Sequence, residues 1–146
     1  MSKIENLIHI ILHPEDYRDG SKALRDLRQL NPVVATDLAR AVLVNEDEEI
    51  HYRSFAMHML YSLSREEALN YICHHADSAN IHMVDTMLDE VTYDPEHESN
   101  SLLFREAVRK LARILKAKTH SSKDLDRFAK TVEEFKKTFP IEMANS

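Results

Sequence analysis

The chain has 146 residues, 43% hydrophobic and 30% charged, with a net charge of −6; this length can bury one core unaided, and this balance excludes a disordered chain. One Gly and four Pro exclude a turn-rich β fold, and a single Gly can spell neither a dinucleotide-binding fingerprint nor a phosphate-cradling loop. The lone Cys73 rules out an internal disulfide and fits a reducing compartment.

In chain order, Ile4, Leu7, Ile8 and Ile11 line one face of a helix from Lys3 to about Leu12, which ends at His13-Pro14. Too few apolar residues run together here, or anywhere, to reach the ~20 needed to span a bilayer. The start also lacks the pattern of a signal peptide, so the expected location is cytoplasmic. Pro14 to Gly20 reads as a loop, and Ser21 as the cap of a helix with Ala23, Leu24, Leu27 and Leu30 inward. Asn31-Pro32 is a start signal for a third helix, to about Val44, burying Val34, Leu38, Ala41 and Val42. Acidic Glu46 to Glu49 then suits the start of the next helix.

From His51 to Asp77 two amphipathic helices follow, with Tyr52, Phe55, Ala56, Met59, Leu60 and Leu63 on one face and Ala68, Leu69, Ile72, Cys73 and Ala76 on the other's. Ser78 or Asn80 caps a helix with Ile81, Val84, Leu88 and Val91 inward. Tyr93 to Ser99 is a loop, and Ser99 to Lys118 a long helix with Leu102, Leu103, Ala107, Val108, Leu111, Ile114 and Leu115 apolar. The last helix, Ser122 to about Thr138, buries Leu125, Phe128, Ala129, Val132 and Phe135, and Pro140 stops it.

The 51–77 hairpin, with Arg53 near its start, small Ala56 at the crossing and Asp77 after its second helix, resembles the short HEAT-like repeat of about 30 residues. Equivalent starts at Ser21, Glu49 and Ser78 recur at close to 29 residues. The resemblance implies an all-α, HEAT-like α-α superhelix of about three helical hairpins over residues 21–118. A cap helix and loop (1–20) and a C-terminal cap helix (119–146) would complete one domain spanning 1–146. Repeats of this kind mostly build surfaces that grip other proteins.

Catalytic and metal chemistry are poorly represented. His9 and His13 stand at i, i+4 without a third ligand nearby. His74 and His75 are adjacent and point apart. His97-Glu98 is the one His-Glu dipeptide, against the repeated dipeptides of HEAT-like di-iron oxygenases. Cys73 on an apolar face reads as inert packing. The expectation is therefore a protein that is not an enzyme, with no cofactor and no metal.

Charge points to a protein partner. Residues 1–103 carry 8 Lys+Arg against 19 Asp+Glu, and residues 104–146 carry 11 against 6. An acidic body speeds encounter with a basic partner. Candidate partner-binding residues are Glu46, Asp47, Glu48 and Glu49, the i, i+4 pair Asp85 and Asp89, and Glu66, Asn70 and His74 on the concave side of a HEAT-like solenoid. In size, charge and fold type the chain resembles the immunity proteins of bacterial toxin systems. That resemblance implies a cognate basic, nuclease-type toxin domain as partner, with no membrane. The alternatives are a HEAT-like adaptor or chaperone for a protein client, or a nucleic-acid-backbone binder through the 105–118 basic helix. The acidic first two-thirds oppose the nucleic-acid reading.

Overall fold

With one glycine in the chain, helix starts must be set by side chains. Among the described residues, Ser2, Asp16, Asn31, Glu49, Asn80, Ser101 and Ser121 each accept a backbone N–H from the first turn they precede. The structure is a computed structural model that describes residues 2–97, 101–117 and 120–145. Within them it is all-helical, without strands. No helix among them is long and apolar enough to cross a membrane. The chain divides into two compact units, Met1–Arg65 and Glu66–Ser146.

The first unit holds α1 (Lys3–Leu12), α2 (Tyr17–Leu30), α3 (Pro32–Val44) and α4 (Ile50–Leu63). The expected loop over Pro14 to Gly20 gives way to helix from Tyr17. Asp16, not Ser21, caps α2 through the Arg18 amide, and hydrogen bonds from the Arg18 side chain help hold the Asp16 carboxyl down at about 2. The Ser21 hydroxyl instead donates to the Tyr17 carbonyl one turn back. Gly20 therefore lies inside a helix, where it costs stability relative to Ala. Its reason is the Tyr52 ring of α4: a Cβ on Gly20 would sit 2.5 Å from the ring's Cζ. The Tyr52 hydroxyl donates to the Ile11 carbonyl at 2.7 Å, one of the last-turn carbonyls of α1 left without a helical partner.

The buried face of α3 also differs from expectation. Ala35, Ala39, Val42 and Leu43 are buried, Val34 and Leu38 only partly, and Ala41 is exposed. The sequence PVVATDLARAVLV is apolar around much of its circumference, so pattern alone does not select a face. Tertiary packing turns the two alanines inward, where small side chains let helices approach closely.

The second unit runs from α5 (Arg65–His75) through a 3-10 turn (Ala76–Ser78), α6 (Ile81–Thr92), α7 (Leu102–Lys116), α8 (Ser122–Arg127), α9 (Ala129–Thr138) and α10 (Pro140–Ala144). α6 packs on α7 and α9, and α7 packs on α10. Asn80, not Ser78, caps α6, accepting from His82 N at 2.9 Å. The long helix starts on Ser101; the expected ends at Ser99 and Lys118 lie outside the described residues. The single helix expected over 122–138 is broken at Phe128 (φ −118°, ψ 29°). Pro140 both ends α9 and opens α10, because its missing N–H costs nothing at a first helical position. Phe104, Phe135 and Phe139 form a buried cluster, with the Phe139 ring 5.1 Å from Phe135 and 6.1 Å from Phe104.

The units also redistribute the charge. Residues 1–65 carry 8 Lys+Arg against 10 Asp+Glu, and residues 66–146 carry 11 against 15. The acidic first two-thirds and basic remainder therefore do not coincide with the structural units, and charge must be judged locally.

Candidate functional site

The acidic stretch Glu46–Glu49 joins α3 to α4 in the first unit. Asn45 turns the chain by accepting the Asp47 amide on its side-chain oxygen at 3.1 Å. Glu46 and Asp47 are exposed and Glu48 half-buried. Glu49 is the cap of α4: its Oε2 accepts from His51 N and Tyr52 N, and its Oε1 lies 2.6 Å from the His51 ring Nδ1. Burial pushes the Glu49 carboxyl up, and these hydrogen bonds outweigh it, holding the group below its ordinary 4.5. The stretch thus has two roles: Glu49 is spent on structure, and Glu46 and Asp47 are presented to solvent.

Glu49→Ala is expected to lose the cap, about 1 kcal/mol at neutral pH. Because the folded-state carboxyl is depressed, its contribution is present above 4.5 and lost as pH falls through the folded value. The melting-temperature gap between parent and variant should close in acid; a gap constant from pH 7 to 3 would contradict this account.

The other expected partner-binding residues fall in the second unit. Glu66, Asn70 and His74 are exposed along one face of α5, and the His74 Nδ1 donates to the Asn70 carbonyl at 2.7 Å. Asp89 is exposed, whereas Asp85 is half-buried beside Thr131 of α9. Burial, with the Asp89 charge, pushes the Asp85 carboxyl up against a hydrogen bond with Thr131, and among the described residues its Oδ1 has no hydrogen-bond partner. Of this candidate pair only Asp89 is thus fully presented to solvent. The expected Tyr93–Ser99 loop also buries one of its acids. Asp94 is 3% exposed, its Oδ1 accepting the Glu96 amide and its carbonyl the His97 amide; Glu98 lies outside the described residues.

His74 also borders a cleft of about 690 Å³ in the second unit, with Cys73, the basic side chains of α7 and the C-terminal Ile141, Glu142 and Asn145. Cys73 is half-buried, and burial followed by the Glu106 charge pushes its thiol up against the pull of Lys110. Its thiolate is thereby disfavoured.

Part of the basic helix is engaged by its neighbours. Lys110 pairs with Asp77 at 2.6 Å and Arg105 with Glu142 at 3.3 Å. Lys116 donates to the Glu142 carbonyl at 3.0 Å and to the Asn145 carbonyl. Lys118 lies outside the described residues. The α10 wall was missed by sequence reasoning, although Pro140 at a possible first helical position was its available signal.

In the first unit the His9 and His13 rings lie 5.1 Å apart beside Glu15, Asp19 and Asp26. Among the described residues no three His, Cys, Asp or Glu groups are placed to hold a metal ion. A scan against protein-family models and searches of curated proteins and of solved structures found no match to this chain.

Proposed function

We propose that this chain is a non-catalytic protein-binding module of the immunity type, which binds and neutralises a basic, nuclease-type toxin domain in the cytoplasm. The supporting observation is the α3–α4 connection, where exposed Glu46 and Asp47 project from a turn fixed by Asn45 on one side and by the Glu49 cap on the other. A pre-ordered acidic turn binds with little entropy lost on docking and steers a basic partner by its field. The finer architecture belongs to the same proposal: within each unit the consecutive pairs α2–α3 and α6–α7 are hairpins of the HEAT-like type.

The test is co-expression with a toxin encoded beside the gene, followed by size exclusion of the complex. Protection of the cells and a complex that weakens with salt are expected. Glu46→Lys with Asp47→Lys should weaken that complex at least tenfold while leaving the melting temperature within about 2 °C, since both positions are exposed. Unprotected cells and no complex would overturn the reading, and a complex indifferent to both salt and charge reversal would move the interface elsewhere.

A further inference from the structure

The pairing of the basic helix leaves a residue pattern that the toxin-binding proposal does not use. Arg109 and Arg113 stand at i, i+4 on α7, so they share one helix face, and both are exposed at the same cleft. Among the described residues neither side chain has a carboxylate partner. Lys116, one turn further on, is fixed by carbonyl oxygens rather than by an acid, so its positive charge is oriented but not neutralised. Against these three cations the cleft sets Glu106, whose charge opposes an anion, and Glu142, which already pairs with Arg105. The net field inside is positive although the unit as a whole is acidic.

We propose that this cleft is a binding site for a phosphate-bearing ligand, with Arg109 and Arg113 gripping the phosphate and Lys116 adding a positioned charge. The guanidinium fork donates two parallel hydrogen bonds to one phosphate, which makes arginine suited to this role. The volume of about 690 Å³ lies within the range of small-molecule sites. Ile141, 70% exposed on the cleft wall, offers an apolar surface to the remainder of the ligand. The same chemistry could be supplied by a small phosphorylated molecule or by the backbone of a nucleic acid. The pairing of Arg105 and Lys110 makes the site local rather than a continuous track along α7.

The probe is inorganic pyrophosphate, titrated calorimetrically into the full chain at low salt. Binding is expected that weakens with added KCl and falls at least tenfold in the Arg109→Gln/Arg113→Gln double variant. Glutamine keeps much of the stem and removes the charge, and far-UV circular dichroism checks that the variant is folded. Glu106→Gln should tighten binding several-fold by removing the opposing carboxylate. No binding of pyrophosphate at millimolar concentration overturns the proposal, as does equal binding by the folded double variant. A single-stranded 20-nucleotide DNA identifies the source. Displacement of pyrophosphate from the parent, with no binding to the double variant, assigns the phosphate to a nucleic-acid backbone. Failure to displace assigns it to a small molecule.

Discussion

Replacing Gly20 by Ala is expected to destabilise the protein by on the order of 2 kcal/mol, lowering its melting temperature by several degrees. At an ordinary exposed helix position the same change would stabilise by about 1 kcal/mol, because Ala restricts the unfolded chain. Here the added methyl would sit 2.5 Å from Cζ and 2.6 Å from the hydroxyl of Tyr52, a ring that is fully buried. The ring cannot swing aside freely, since its hydroxyl is held by the Ile11 carbonyl at 2.7 Å. Moving it leaves that carbonyl buried without a donor, a cost of about 1–3 kcal/mol, which exceeds the propensity gain. In a Tyr52→Phe background the penalty for Gly20→Ala should shrink, because one of the close contacts and the anchoring bond are already gone. Thermal melts of the four proteins in this cycle decide the matter. A Gly20→Ala protein as stable as the parent would show that the ring is not the reason for the glycine.

Phe139→Ala should be the more damaging change, costing about 3–5 kcal/mol. Phe139 is 2% exposed and packs its ring against Phe135 and Phe104, so truncation leaves a cavity among aromatic rings as well as removing apolar area. It also sits between α9 and α10, with its amide donating to the Phe135 carbonyl at 2.9 Å. Losing the ring frees α10 and with it Glu142, the partner of Arg105. Denaturant titration is expected to show the full loss, and hydrogen exchange to show faster opening at residues 140–144. A loss below about 1 kcal/mol would mean that the cluster contributes little.

Sequence made the helices legible where a side chain does the work of a boundary, as Asn31-Pro32 does between α2 and α3. It failed where tertiary packing overrides a local signal. Gly20 reads as a loop residue because nothing local reveals the Tyr52 ring 32 positions away. The face of α3 was misjudged because Ala35 and Ala39 compete with Val34 and Leu38, and only the packing selects between them. In the acidic stretch the position of the charge was readable, but not the division of labour between Glu49 as a cap and Glu46 and Asp47 as free acids. The basic helix was readable too. Which of its cations are neutralised depends on Asp77 and Glu142, each more than 30 residues from its partner.

Asn31 ends α2 through its amide on the Leu27 carbonyl and starts α3 through its side chain on the Val34 amide. Phe128 and Phe139 likewise each close one helix and precede the next. Joints of one shared residue have no slack, and one inserted residue turns the following helix by about 100°, carrying its buried side chains away from the core. At these joints divergence of this chain is therefore constrained in length as well as in residue identity. Positions 31, 128 and 139 act as fixed rulers between helices.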